Sequence, residues 1–110
     1  MTRGEIWTVA GGAAYAGKPR HPAVIIQDDR FDANDSVVVC PVTSDRTEAP
    51  VFRIPVAPDE ENGLRQSCRL MVDKVAAVPR VRLRRRVGVL SAKAMTELNR
   101  AIVVFLGFGG

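Results

Sequence analysis

The chain has 110 residues, 46% hydrophobic and 25% charged, with one histidine, two cysteines and a formal net charge of +4. That is length for one domain around one core, expected over residues 1–110, and the composition is that of a soluble globular protein. No run approaches the ~18 consecutive apolar residues of a membrane helix, and "MTRGEIW" lacks a signal-peptide layout, so no membrane association and a cytoplasmic location are expected. One histidine and no CxxC pair supply too few ligands for a structural zinc, so neither a metal nor a cofactor is expected. The positive balance favours an anionic partner.

In chain order, "EIWTVA" (5–10) alternates as a half-buried strand does, and "GGAAYAGKPR" (11–20) reads as a glycine-rich loop. "PAVIIQ" (22–27) is a short apolar strand and "DDRFDANDS" (28–36) a turn. "VVVCPVTS" (37–44) is a buried strand in which Pro41 implies an edge or a bulge. "VFRIPV" (51–56) is a further strand with a proline, and "APDEENG" a turn. "CRLMVDKVAAV" (68–78) covers one bent strand or two, and "RRVGVL" (85–90) a short strand or the approach to a helix. Cys40 and Cys68 sit inside apolar runs and read as buried free thiols. From Ser91, a plausible N-cap, Ala94, Leu98, Ala101, Ile102 and Phe105 recur at helical spacing until "GFGG" stops the helix. The class is mainly β with one C-terminal α-helix: a small, bent antiparallel barrel with that helix covering it.

Four clusters could carry chemistry. Arg3, Glu5 and Trp7 alternate, so a strand would project all three from one face, able to bind phosphate, hold a carboxylate and stack a base. The plainer alternative is a salt bridge beside a half-buried indole. Lys18, Arg20 and His21 stand between Gly17 and Pro22, where the prolines restrict the backbone and display the basic groups. Arginine grips phosphate, and histidine moves protons near neutral pH. Thr43 and Ser44 end a strand, where they could donate to a phosphate oxygen or simply hold the following turn. In "RVRLRRR" (80–86), Arg80, Arg82, Arg84 and Arg86 alternate as on one strand face and could track a polyanion.

Taken together, "RGEIW", "KPR-P-VIIQ", "PVTS", "RLMVDK…VP" and "LNRAIVVFLG" resemble the MazF/PemK (Kid) toxin family along nearly the whole chain. The resemblance implies an SH3-like small barrel of the CcdB/PemK type that forms a homodimer. It also implies a toxin of a type II toxin–antitoxin system: a metal-independent, sequence-specific endoribonuclease that cuts single-stranded RNA, with an acidic, partly disordered antitoxin as its partner. The family's catalytic arginine lies directly before the proline of the second strand. Here the order is Arg20, His21, Pro22, so His21 is either an insertion after Arg20 or stands in the arginine's place; Arg20 is expected to keep the role. The catalytic threonine maps to Thr43, with Ser44 beside it. An acidic residue of some members maps to Asp73, followed here by Lys74 where members often carry glutamine. The resemblance thus makes Arg20, Thr43 and His21 the catalytic candidates. Arg3, Glu5, Trp7, Lys18, Ser44, Asp73 and Lys74 become the RNA-binding ones. Proton acceptance is open between His21, Glu5 and Asp73. Two alternatives share the fold: a CcdB-like gyrase inhibitor that does not cut RNA, and a degenerate RNA-binding homologue.

Overall fold

The computed structural model describes residues 1–11, 20–45 and 52–109, with the side chain of Arg20 outside that description. Among the described residues the order is β1 (Glu5–Ala10), β2 (Arg20–Ile25), β3 (Ser36–Thr43), β4 (Arg53–Val56), β5 (Cys68–Met71), β6 (Ala76–Pro79), β7 (Leu83–Val89) and α1 (Ala92–Phe105). Every ladder is antiparallel, and the path runs β4-β5-β3-β2-β1-β7, with β6 joined to β3 as well. The expected mainly-β class with a C-terminal helix is what the chain forms. The expected glycine-rich loop falls mostly at 12–19, outside the described residues.

β3 organises the molecule. Residues 36–39 pair with β6 and residues 42–43 with β5, so the strand changes partner on that side between Val39 and Val42. Pro41 lies in this interval, fully buried and opposite Ala23 of β2. The expected edge or bulge is therefore replaced by a partner switch in a central strand, which offers the same relief: a stretch where no ladder on that side needs an N–H. Pro55 does sit on an end strand of the path.

Strand alternation divides the interior in two. Cys40 and Val42 join Ile6, Leu70 and Leu98 in a core beneath α1. Val37 and Val39 join Val9, Ala23, Ile25 and Leu83 in a second core on the opposite face, with Trp7 packed against it. The 68–78 stretch proves to be two strands, broken by a 3-10 turn at Val72–Lys74.

The gap between the end strands β4 and β7 is filled by the turn read from "APDEENG". Asn62, fully buried, accepts from the Asp59 and Leu64 amides at 3.2 and 2.9 Å and donates to the Ala57 carbonyl at 2.9 Å. The Val89 amide donates to the Glu61 carbonyl at 2.9 Å. Gly88 lies so close to this turn that any Cβ would collide with the backbone of Glu61 and Asn62.

The alternating arginines do not share one face. Arg80 and Arg82 occupy a 3-10 turn, where Arg80 donates to the Asn34 carbonyl at 2.8 Å. β7 then carries extra residues at two irregularities against β1, so Arg84, Arg85 and Arg86 are all exposed in succession. A bulge resets the period-two pattern on which the expectation rested.

α1 begins as the sequence predicts, with the Ser91 hydroxyl accepting from the Ala94 amide at 3.1 Å. It ends at Gly107 (φ 85°), where the Phe108 amide donates to Val103 O and the Gly107 amide to Val104 O. This paired closure needs the left-handed conformation that glycine adopts freely. Phe105 departs from the expected core stripe: it is 45% exposed, tilted against Phe52 at 5.9 Å between ring centroids.

Candidate active-site cleft

The start of β2, the end of β3 and the approach to β5 meet around a cleft of about 160 Å³. Its walls include His21 and Pro22 from the first, Thr43 and Ser44 from the second, and Gln66 and Cys68 from the third. Three of the sequence-predicted residues, His21, Thr43 and Ser44, are thus brought together by antiparallel pairing. The register Ala23↔Pro41, carried two residues outward, sets His21 across from Thr43.

His21 is only 6% exposed, yet the residue borders the cleft. Its Nδ1 lies 3.4 Å from the Pro22 carbonyl oxygen. The Thr43 hydroxyl accepts from the Asp45 amide at 3.1 Å, which uses its acceptor side and leaves its proton to be donated. Cys68 points inward and donates to the Gln66 carbonyl at 3.2 Å, and burial pushes its thiol above the ordinary range.

Arg20 contributes its backbone to β2, pairing with Ala10; its side chain, like the whole of Lys18, lies outside the described residues. Arg3, Glu5 and Trp7 are not the single face that alternation suggested. β1 starts only at Glu5, and Gly4 turns the chain at φ 94° just before it. Arg3 consequently points elsewhere, its Nε donating to the Ile26 carbonyl at 2.8 Å and its Nη2 to the Asn99 side chain on α1. Period-two reasoning holds only within an extended strand.

Glu5 and Trp7 do cooperate. The indole N–H donates to the Glu5 carboxylate at 3.2 Å, Arg86 Nε donates at 2.7 Å and the Thr2 amide at 2.7 Å. Burial opposes the charge, but these three donors outweigh it and hold the carboxyl at about 2. Such a weakly basic carboxylate is poorly matched to proton abstraction near neutral pH. Glu5 also sits four residues along β1 from Val9, the partner of His21, or roughly 13 Å away.

Asp73 forms a two-point ion pair with Arg53, at 2.9 and 3.2 Å, and Lys74 is exposed on the same 3-10 turn. Neither borders the cleft. Of the three acceptor candidates, His21 is the one that does. Gln66 and Cys68 were not singled out as cleft residues, because only the pairing of β5 with β3 brings that segment to Thr43. Among the described residues no three His, Cys, Asp or Glu side chains gather as a metal cage, and no helix is long and apolar enough to cross a membrane.

Comparison with known proteins follows the same line. Residues 2–106 match the family described as PemK-like, MazF-like toxin of type II toxin–antitoxin system. The chain is 51% identical over 110 residues to the probable endoribonuclease MazF of Mycolicibacterium smegmatis, covering 100% of both. It is 28% identical over 114 residues to endoribonuclease MazF9 of Mycobacterium tuberculosis, covering 96% of each. In fold it superposes on a mycobacterial endoribonuclease solved with its cognate antitoxin, with a TM-score of 0.78 at 19% identity, over 97% of this chain and 95% of that one.

Proposed function

Because this chain belongs to the PemK-like, MazF-like toxin family of type II toxin–antitoxin systems, we propose that it is an endoribonuclease that cuts single-stranded RNA by internal transesterification. The ribose 2′-oxygen attacks the adjacent phosphorus, the bond to the 5′-oxygen breaks, and the products carry a 2′,3′-cyclic phosphate and a 5′-hydroxyl. RNA brings its own nucleophile, so the protein need only align it, stabilise charge on the phosphoryl oxygens and move protons. Thr43 donates to a non-bridging oxygen. The His21 imidazole takes the 2′-hydroxyl proton, and the departing 5′-oxygen is protonated by water. Arg20 keeps the clamp role that family resemblance gives it. Trp7 and the basic side chains are suited to unstacked bases and backbone.

The observation that carries the reading is the convergence of His21, from the start of β2, with Thr43 and Ser44, from the end of β3, on one cleft. Residues 1–110 act as a single toxin domain in the cytoplasm, where transcripts are, and an acidic extended antitoxin segment matches the net charge of +4. A second copy is assigned to the apolar end of α1, where Val104, Leu106 and Phe108 are 60%, 55% and 80% exposed.

The test is cleavage of a transcript by purified protein in EDTA, with both new ends mapped. Cutting with cyclic-phosphate ends is expected, abolished by a single 2′-deoxyribose at the cut and by Thr43→Ala. Equal cutting of the deoxy analogue, an absolute need for divalent metal, or full activity of Thr43→Ala overturns the proposal. Growth arrest with intact cellular RNA favours the gyrase-inhibitor alternative instead.

A further inference from the structure

Arg69, interior to β5 and half-buried, played no part in the reading of the sequence. Its position is fixed from two sides: it is the direct partner of Thr43 in the β3–β5 ladder and of Pro55 in the β4–β5 ladder. Directly opposed residues of antiparallel strands project from the same face, with Cβ atoms about 4.5–5.5 Å apart. His21 flanks Thr43 on the other side by the register of β2, and Val9 lies beyond it. One row therefore crosses five strands on a single face: Val9, His21, Thr43, Arg69, Pro55. In register, the threonine position lies between a histidine position and an arginine position.

The space around the row fits a polymer. The cleft at His21 and Thr43 shares Cys68 with a groove of about 380 Å³ whose wall includes Pro55, Ser67 and Arg69. A phosphodiester held at Thr43 would meet Arg69 where the chain passes from cleft to groove. Phosphoryl transfer to a 2′-oxygen concentrates negative charge on the two non-bridging oxygens, and a guanidinium presents a planar fork of donors matched to such a pair.

We infer that Arg69 is a catalytic residue of this chain: its guanidinium grips the non-bridging oxygens of the scissile phosphate beside Thr43 and stabilises the charge that builds there during 2′-oxygen attack. This rests on the proposed RNA cleavage, but it depends on strand register alone and not on the placement of the Arg20 side chain. It also gives meaning to the Arg20-His21-Pro22 order. With an arginine on β5 beside Thr43, the residue before the proline is free to be a proton carrier.

The experiment compares wild type, Arg69→Gln and Arg69→Lys on an RNA oligonucleotide containing the mapped cut. Single-turnover rates are measured at saturating RNA, and affinity on the same oligonucleotide with one 2′-deoxyribose. Melting by circular dichroism checks the fold. Arg69→Gln is expected to slow cleavage about 100-fold or more, the scale of losing one preorganised oxyanion donor, with affinity weakened less than about tenfold. Arg69→Lys restores charge without the fork and should stay about tenfold slow. A folded Arg69→Gln within about threefold of wild type, or a loss confined to affinity, overturns the inference. If Arg69→Gln does not fold, Arg69→Lys decides alone, since a folded lysine variant at full rate removes the fork. Failure of the wider reading looks different: wild type then cuts no RNA, or Thr43→Ala cuts as well as wild type.

Discussion

Replacing Asn62 by alanine tests whether one buried side chain both closes the barrel and supports the wall of the cleft. Its amide holds three hydrogen bonds: from Asp59 N at 3.2 Å, from Leu64 N at 2.9 Å and to Ala57 O at 2.9 Å. A net contribution of roughly 1 kcal/mol for each, with two backbone donors and one acceptor of a part-buried turn left without this partner, gives a loss of about 3 kcal/mol. For a domain whose whole stability is of the order of 5–15 kcal/mol, that is a large share, equivalent to a fall in Tm of roughly 12–24 °C. Urea unfolding followed by circular dichroism measures it, with Asn62→Asp as a companion. The aspartate keeps the acceptor but loses the donor and buries a charge, so it should be no more stable than the alanine. Because Asn62 also anchors Leu64, two residues before Gln66, cleavage should weaken even at temperatures where Asn62→Ala stays folded. A loss below about 1 kcal/mol would refute the reasoning: the turn would then be held by its backbone contacts to β7, and the buried amide would be incidental.

Gly88→Ala forces a methyl group into the backbone of Glu61 and Asn62 and is expected to cost about 1–3 kcal/mol in denaturant unfolding, a wild-type midpoint counting against the close approach. Burial, and then the charge of Asp73, push the Cys40 thiol up to about 12, and burial raises Cys68 as well. Iodoacetamide at pH 8 should therefore leave Cys40 unmodified in the folded protein and label both cysteines in urea, as read by mass spectrometry. The Glu5 carboxyl is held at about 2, below its ordinary 4.5. Its contribution to stability is then complete above about pH 4.5 and lost as pH falls through 2, so the difference between wild type and Glu5→Gln should narrow over that window and stay flat above it. If the homodimer uses the end of α1, Phe108→Asp, at a residue 80% exposed, should lower the sedimentation coefficient to that of a monomer without lowering the melting temperature of the monomeric chain.

What could be read from the chain depended on how local the cause was. β1 was legible residue for residue in "EIWTVA", since alternation is a local signal, and so were both ends of α1, where Ser91 and Gly107 act within one turn. Pro41 was legible as a disturbance but not as a partner switch, because that belongs to the pairing of β3 with both β5 and β6. The arginine run failed for a related reason: bulges against β1 are a property of two strands, and no feature of "RVRLRRR" announces them. The site divides in the same way. His21, Thr43 and Ser44 were found from motif order and from residue chemistry. Gln66 was not, as its place on the cleft arises only when a segment more than twenty residues downstream is laid beside Thr43.

The two roles first offered for Thr43 are compatible, and the geometry explains why. A threonine closing a turn and a threonine donating to a phosphate seem to compete for one hydroxyl. Here the turn uses the oxygen as acceptor, with the Asp45 amide donating at 3.1 Å, while the proposed catalysis needs the proton as donor. Engaging the lone pairs fixes the side-chain rotamer and confines the directions in which the O–H can point, so the ordering cost falls on folding and not on substrate binding. The same holds for the row as a whole. His21, Thr43 and Arg69 stand on three different strands, and their mutual spacing is set by backbone ladders that cannot adjust independently. A strand end thus suits the proposed chemistry better than a loop, because the ladder already fixes the backbone from which these side chains project.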